Sequence, residues 1–518
     1  MRPHRGVLAW SLLVCLGCQP PARDVQLILA LPHAIGCRPT EVTTVEVRAL
    51  GDFPPGEPTF LVFDPAAGVQ TIDRFPPSTE LVAVEARGSI GSEPWAGGGV
   101  AVVDGEAGER IVTLLRYGRS CPLPDSSARV PEGAAVAALG DGRLWIGGGH
   151  DEDGALEGIV TLRPGDALAT RSDARLFVKR TAATATVLDG ELVVVAGGSA
   201  AVGGEGVDTL ELLRFGGGEE ARIGEGFLAL PRREHAAVAI GKRAVLLAGG
   251  RERTGGPPHA EIEIVTVDEA GSSAESRVVA RLAVARALAH ALALDDGRVA
   301  IAGGVDARGE PATAIELFDP ETGTLDRVPG LPARRDAAYA ALPGARIAQI
   351  GGRTEEGWSG DVDVAVDGAI VTLPGAIPPL EAPRATSLGD GRVLVVGREA
   401  GRASGIVLDV GTLALERVEA SRAATVLVPL ADGSIAEGDP TGVSAIRIDL
   451  RTPLDSLPAT LFPALPEDRA HLALDAPRRW RATAGELVSE VDGARFDVPG
   501  LRFAAFSLEL RASGPLEV

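Results

Sequence analysis

Five arginines recur at one position of a repeated pattern, and together they are the clearest candidate for binding chemistry. Each stands eight residues before an aliphatic residue that ends a predicted strand. A guanidinium group binds carboxylate or sulfate through paired hydrogen bonds, so a ring of them on one face would hold an acidic ligand such as a glycan. The candidate ligand-binding residues are Arg180, Arg232, Arg286, Arg334 and Arg422.

A second interpretation gives the same arginines a structural role. Residues that recur in a repeat protein usually serve the repeat itself. Glutamates follow in three repeats, at Glu211, Glu263 and Glu316, and each could pair with an arginine to tie neighbouring units together. An exposed ring predicts that Arg→Gln changes abolish anion binding and leave melting nearly unchanged. A structural tie predicts a large fall in melting temperature.

Other reactive side chains form no recognisable constellation. The histidines of the repeats lack the H-x-x-x-H spacing of paired ligands, so we expect no metal and no cofactor. The acidic stretch from His150 to Gly154 lacks the length and closing Glu of an EF-hand, so a solvated loop is preferred to a Ca²⁺ site. Neither a G-x-S-x-G elbow nor a phosphate loop occurs, and no catalytic residue is assigned. The histidines in question are His150, His235, His259 and His290.

The arginines are carried by a repeat that reads strand, turn, strand, Gly-Gly, loop, strand, best seen from Arg286 to Gly323. Self-similarity at a period near fifty residues is the signature of a propeller array. The residues that end the first strands are Leu139, Leu188, Ile240, Leu294, Leu342, Leu388 and Leu430. Nine residues after each stand Gly148, Gly197, Gly249, Gly303, Gly351, Gly397 and Asp439.

The Gly-Gly pairs after apolar strands, with the Ile315–Pro320 element and its counterparts at 210–212 and 262–264, resemble the kelch family and the related central propeller of galactose oxidase. The resemblance implies an all-β, kelch-like β-propeller over residues 130–451. Seven blades are expected, with six as the alternative. Phe318 and Leu325 stand where kelch units usually carry Tyr and Trp.

The same resemblance makes galactose oxidase the enzyme to test. Its copper chemistry would require two His, two Tyr and a Cys joined to one Tyr. The only tyrosines are Tyr117 and Tyr339, and no Cys follows Cys121, so we exclude that reaction. A sialidase-type Asp-box is also missing from the sequence.

The N-terminus reads as a secretory signal over residues 1–18. A positive start is followed by the short apolar stretch Val7 to Leu16, too short for a transmembrane helix. Cys15 to Cys18 resembles a bacterial lipobox, which implies lipidation at Cys18; a non-lipid signal is the alternative. Gln19 after the cysteine resembles the outer-membrane sorting rule of some Gram-negative bacteria. The protein is therefore expected in the outer membrane, on its periplasmic or surface face.

Residues 19–23 read as a tether and 24–122 as a small β-sandwich of short alternating strands. In an exported chain, Cys37 and Cys121 are expected to form a disulfide, with two free thiols as the alternative. Residues 452–518 read as a β tail that supplies a closing strand to the propeller or begins a partial jelly roll.

The net charge of −21 argues against a nucleic-acid partner. The expected function is non-catalytic binding of a protein or polysaccharide of the cell envelope, with membrane attachment through the lipid. One alternative is a glycan-acting hydrolase or lyase with its site at the propeller mouth, using loop carboxylates such as Asp306, Glu310 and Glu355. Another alternative is a purely structural envelope protein.

Overall fold

The computed structural model shows an all-β, propeller-like fold. It describes residues 25–34, 36–51, 59–61, 69–72, 79–102, 108–123, 128–163, 169–216, 219–366, 368–448, 478–483, 486–489, 495–497 and 507–510. Across those ranges, no helix has the length and apolarity needed to cross a membrane. The signal, the tether and Cys18 lie outside the described residues.

The N-terminal part contains two sheets. One has the order β4-β1-β7 and the other β3-β2-β5-β6-β8. Buried side chains of both sheets, including Leu29, Val45 and Val84, pack in one core around Trp95, whose indole N–H donates to the carbonyl of Cys37 at 2.9 Å. The strands are β1 (Val25–Ala30), β2 (Glu41–Gly51), β3 (Thr59–Leu61), β4 (Val69–Ile72), β5 (Thr79–Ile90), β6 (Glu93–Val102), β7 (Gly108–Thr113), β8 (Leu115–Arg116) and β9 (Ser120–Pro122).

Seven successive antiparallel groups follow, here called units 1 to 7. Unit 1 contains β10 (Glu132–Ala138), β11 (Leu144–Asp151), β12 (Gly154–Ala155), β13 (Ile159–Leu162) and β14 (Thr170–Arg171). Unit 2 contains β15 (Thr184–Leu188), β16 (Leu192–Ala196), β17 (Val207–Gly216) and β18 (Glu219–Arg232). Unit 3 contains β19 (Ala236–Ala239), β20 (Ala244–Ala248), β21 (Glu261–Val267) and β22 (Ser273–Arg281).

Units 4 to 7 continue the pattern, and the last unit takes its fourth strand from elsewhere in the chain. Unit 4 contains β23 (His290–Ala293), β24 (Val299–Ala302), β25 (Ala314–Phe318) and β26 (Leu325–Pro329). Unit 5 contains β27 (Ala338–Leu342), β28 (Arg346–Ile350), β29 (Arg353–Thr354), β30 (Gly357–Trp358), β31 (Val362–Val366) and β32 (Ala369–Leu373). Unit 6 contains β33 (Glu381–Ser387), β34 (Arg392–Glu399), β35 (Arg402–Asp409) and β36 (Leu415–Val418), and unit 7 contains β37 (Val426–Pro429), β38 (Ile435–Asp439) and β39 (Gly442–Ile446).

The turn between the first two strands of a unit is built around an aspartate in several units. Asp296 accepts the backbone N–H of Arg298 at 3.0 Å and also pairs with that arginine's side chain. The Asp-Gly-Arg sequences at 141–143 and 390–392 make the same pair of contacts. The local Asx turn therefore fixes the hairpin register on which the unit depends.

Units 2 and 3 share one eight-stranded sheet because their outer strands meet. β18 pairs with β22 in parallel at Glu225–Ser273 and Gly226–Ala274. A Cβ atom on Gly224 would lie 2.0 Å from the carbonyl oxygen of Ser272, so glycine permits this close backbone approach. The repeat pattern did not predict this joint.

The units are arranged in a circle. The first strands β10, β15, β19, β23, β27, β33 and β37 contact one another in that order, and β37 also contacts β10. Unit 7 is completed by β9, which pairs with β39 so that Cys121 stands opposite Ala445. The fourth strand of the last unit therefore comes from residues 120–122 and not from the C-terminal tail.

The predicted disulfide between Cys37 and Cys121 is confirmed, with Cα atoms 5.9 Å apart. It joins the N-terminal sheets to β9 and is buried beside Leu115 and Ala445. The described tail strands, β40 (Arg478–Thr483), β41 (Glu486–Ser489), β42 (Arg495–Asp497) and β43 (Ser507–Leu510), pair with one another in the order β42-β41-β40-β43. The predicted strand at 470–474 lies outside the described residues.

Candidate functional site

Four of the five candidate arginines are buried in ion pairs inside the units. The side chains of Arg180, Arg232 and Arg286 are 0% exposed. Arg286 lies 2.6 Å from Glu316, and its Nη1 donates to the carbonyls of Gly303 and Ala314. The matching pairs are Arg180–Glu211 at 2.8 Å, Arg232–Glu263 at 2.5 Å and Arg334–Asp363 at 2.5 Å.

Each arginine stands where the chain passes from one unit to the next. The backbone N–H of Arg180 donates to Leu156 and its carbonyl accepts from Gly149, both in unit 1. Its side chain binds Glu211 and the carbonyl of Gly197 in unit 2. Arg286 likewise has its backbone on unit 3 and its side chain on unit 4. These contacts favour the structural interpretation, in which each arginine joins two neighbouring units. The four buried guanidinium groups have no accessible surface for a ligand.

The Gly-Gly pairs contribute to the same junctions between units. Gly197 and Gly249 have left-handed backbones, and a Cβ atom on either would lie 2.3 or 2.2 Å from the carbonyl oxygen of the next arginine, Arg232 or Arg286. Glycine is therefore required both by conformation and by contact. In units 1 to 3, the Gly-Gly pair therefore marks the place where the unit contacts the arginine that enters the next unit.

The fifth candidate, Arg422, has different surroundings. It is 14% exposed, and its guanidinium donates to Ser444 at 3.0 Å and to Asp439 at 3.1 Å. In unit 6, the apolar residues Leu380 and Ile406 occupy the arginine and carboxylate positions, and both are buried. The five arginines therefore do not form one equivalent ring.

Unit 7 carries its buried carboxylate on the second strand instead of the third. Glu437 on β38 stands opposite Ser444 on β39 and accepts a short hydrogen bond from Ser120 on β9. Ser421 bridges the hydroxyls of Ser120 and Ser444. Burial raises the pKa of Glu437 to about 7, although the hydrogen bond from Ser120 and the charge of Arg422 oppose this rise.

The loops after the Gly pairs are fixed to neighbouring segments on one side of the circle, here called the Gly-pair face. Arg233 and Arg335, which directly follow buried arginines, donate to the loop carbonyls of Gly204 at 3.0 Å and Gly309 at 2.6 Å. The unit 2 loop also donates from Gly206 N–H to Glu252 in the unit 3 loop. On the Gly-pair face, the loops of units 2, 3 and 4 are therefore held by hydrogen bonds to neighbouring segments.

A circle of left-handed residues surrounds the axis on this face. The residue six positions before the anchor has a positive φ in units 1 to 6, although only unit 1 has glycine there. The N–H of Ala182 donates to Gly133, that of Glu234 to Ala182, and that of Leu288 to Glu234. Non-glycine residues adopt this conformation at a cost that their surroundings must offset. The members are Gly133, Ala182, Glu234, Leu288, Asp336 and Ala382.

The histidines have separate partners and do not converge. His150 bonds Thr181 at 2.9 Å, and His259 approaches the carbonyl of Pro231 at 3.2 Å. His235 bonds Thr184, and burial lowers its pKa to about 3. His290 is exposed on β23, and its ring centroid lies 5.0 Å from that of Tyr339. Within the ranges that the structure describes, His, Cys, Asp and Glu form no group of three or more suited to a metal.

The loop carboxylates considered for catalysis serve local structure or lie apart. Asp306 accepts the backbone N–H groups of Arg308 and Glu310, which lower its pKa, and Glu310 pairs with Arg335 at 3.2 Å. Glu355 is exposed at the hairpin between β29 and β30. The acidic stretch at 150–154 is a tight hairpin in which Asp151 accepts the N–H of Asp153.

Comparisons with solved structures find 467 similar chains. A solved structure entitled "Structure of YjhT" is 12% identical, with a TM-score of 0.36, and the match covers 57% of this chain and 94% of that one. This level of likeness supports no statement about the function of this chain. No family model matches the sequence, and no curated protein matches it.

Proposed function

We propose that this chain is a seven-bladed, kelch-like β-propeller with an N-terminal β-sandwich, exported as a lipoprotein anchored at Cys18 in the outer membrane. The circle of first-strand contacts, which β37 and β10 complete, supports seven blades over six. The common core of the two N-terminal sheets supports the sandwich. The buried disulfide suits an exported chain.

The proposed activity is non-catalytic binding of a polysaccharide or protein of the cell envelope at the Gly-pair face. The observation that carries this proposal is the cross-linking of the loops, in which Arg233 and Arg335 hold loop carbonyls in place. A surface already ordered before binding loses little conformational entropy when a partner arrives. Rigid scaffolds commonly display their binding residues on such loops.

The test is a set of envelope polysaccharides and purified envelope proteins offered to the full-length protein, with product release measured in parallel. We expect saturable binding and no released fragment. Replacing the unit 2 loop, residues 200–205, by a short turn should weaken binding. Shortening the opposite-face turn at 319–324 is the matched control and should preserve it.

Release of oligosaccharide would replace this proposal by the glycan-acting enzyme. Failure to bind any partner, with the protein folded, would favour the structural envelope protein.

A further inference from the structure

Two exposed phenylalanines stand out in a chain with only 4% aromatic residues. Phe177 is 76% exposed and Phe227 is 63% exposed. Phe215 and Phe318, by contrast, are almost completely buried in the cores between strands. Exposing a large apolar ring has no benefit for folding, so a pair of such rings on one surface indicates a contact with something else.

Both phenylalanines lie beside the same strand of unit 2. The backbone N–H of Phe177 donates to Glu211 on β17 at 2.6 Å. Phe227 on β18 stands opposite Thr209, two residues before Glu211 on β17. Residues two apart on a strand share a face, as do directly opposite residues of paired strands. Phe177 and Phe227 therefore flank one face of unit 2, at the side from which the chain enters from unit 1.

The ring of Phe177 is held in place by a cation. The Arg222 guanidinium lies 5.1 Å from the ring centroid. Arg222 is itself fixed by Glu225 at 2.5 Å and by Glu211 at 3.6 Å. With one ring face against the guanidinium and most of the residue exposed, Phe177 presents a pre-oriented flat apolar surface.

The segment that carries Phe177 is locally basic. Residues 171–179 alternate, and their exposed members are Arg171, Asp173, Arg175, Phe177 and Lys179. Arg175 pairs with Glu157 at 3.2 Å. The side chains of Arg171 and Lys179 have no ion-pair or hydrogen-bond partner among the residues that the structure describes. In a protein of net charge −21, these two cations mark a local site for a negative group.

We propose that this surface, formed by Arg171, Phe177, Lys179, Arg222 and Phe227, binds an anionic polysaccharide. The apolar face of a sugar ring would stack on Phe177 and Phe227, and its carboxylate or sulfate would pair with Lys179 and Arg171. The inference rests on the proposed binding function and adds the ligand class and its place on the molecule. An acidic peptide would use the same cations, but it would not require two flat aromatic surfaces.

The test measures binding of the full-length protein to polygalacturonate, with neutral dextran and poly-glutamate as comparison probes. We expect binding to polygalacturonate alone. Phe177→Ala and Phe227→Ala should each weaken it by roughly tenfold, as expected on removing a central aromatic anchor. Lys179→Gln should weaken it less, and it should reduce the sensitivity of binding to added NaCl.

The matched control is Leu415→Ala, which removes a 47% exposed apolar side chain from the outer strand of unit 6. It should leave binding unchanged, and all variants should melt within a degree or two of the parent because the residues are exposed.

If Phe177→Ala and Phe227→Ala bind polygalacturonate as tightly as the parent, this surface is not the binding site, and the proposed binding function still stands. Equal binding of dextran would overturn the anionic class. Preference for poly-glutamate would replace the polysaccharide by an acidic peptide. Binding of other envelope partners but not of polygalacturonate would also overturn the inference, whereas cleavage of polygalacturonate would overturn the non-catalytic function itself.

Discussion

Units 2 to 5 and unit 7 each bury a carboxylate between strands, but in unit 7 the carboxylate lies on a different strand and has a different partner. In units 2 to 5 an arginine from the incoming chain pairs with a carboxylate on the third strand, as Arg286 does with Glu316. In unit 7 the carboxylate is Glu437 on the second strand, and its partner is Ser120 from a strand that precedes the whole circle. The arginine pair joins consecutive units, whereas the serine–glutamate network joins the two ends of the circle.

Unit 6 shows that the ion pair is one of several solutions. Leu380 and Ile406 fill the same two positions there and are completely buried. A buried ion pair often contributes no more stability than apolar residues of similar volume, because desolvation offsets the attraction between the charges. What the pair in units 2 to 5 provides is a fixed geometry, since the guanidinium also binds the carbonyl after the second strand.

The largest expected effect comes from breaking one such pair. Arg286→Leu leaves the buried carboxylate of Glu316 without its counter-charge, so we expect a loss of about 3–5 kcal/mol in the free energy of unfolding. Arg286→Leu combined with Glu316→Ile recreates the unit 6 arrangement and should recover more than half of the loss. Denaturant unfolding of the parent, both single variants and the double variant measures this. A double variant no more stable than Arg286→Leu would show that unit 6 is not a valid substitute.

Removing the disulfide tests the closure of unit 7. Changing Cys37 and Cys121 to serine frees β9 from the N-terminal sheets and should cost about 2–4 kcal/mol. Reduction of the parent protein should reproduce the loss, and it should have no effect on the double variant. Unchanged stability in both experiments would mean that the pairing of β9 with β39 needs no covalent support.

The pH dependence of the free energy of unfolding distinguishes the buried carboxylate of unit 7 from the arginine–carboxylate pairs of units 2 to 5. Because the pKa of Glu437 is raised to about 7 in the folded protein, the folded state binds the proton more tightly than the unfolded state. Its contribution to stability is present below the unfolded pKa and is lost as the pH rises through about 7, by up to roughly 3 kcal/mol. Glu437→Gln should flatten this part of the profile measured between pH 4.5 and 8, and an unchanged slope would contradict the assignment.

The smallest expected effect concerns the left-handed residues around the axis. Unit 7 differs from the other units here too, because Ala424, at the equivalent place, has no positive φ. Ala182→Gly relieves a strained backbone and should raise stability by up to about 1 kcal/mol. The reverse change, Gly133→Ala, should lower it, because the new Cβ would lie 2.2 Å from the hydroxyl of Thr181. Thermal melting measures both, and a loss on Ala182→Gly would show that the methyl group contributes more packing than its backbone costs.

The parts of the fold that could be predicted are those that local sequence determines. Gly-Gly pairs and alternating strands identified the repeat, and Cys37 and Cys121 identified the disulfide. The repeat spacing singled out the arginines, but the sequence could not decide between an exposed ring and a buried tie. That choice depends on where the third strand places Glu211, Glu263 and Glu316 relative to each arginine.

The closure could not be predicted, because its signals are short and distant. β9 has only three residues, and it pairs with a strand more than three hundred residues later. Glu437 lies on the second strand of its unit, where the other units carry apolar or amide residues, so the repeat pattern gave it no role. The joint between β18 and β22 depends on Gly224 and Gly226, to which the repeat pattern gave no role.

The position of β9 also determines the order in which the molecule can be completed. Both cysteines lie within the first 121 residues, so the disulfide can form while the units are still being synthesised. β9 then remains an open edge until residues 442–446 arrive and pair with it. Every earlier unit can assemble on its predecessor from local contacts, but the circle closes through contacts of very long sequence separation, β9 with β39 and β10 with β37, and such contacts form slowly. A chain that stops before unit 7 leaves β9 without its partner, and unpaired strand edges of this kind invite association between molecules.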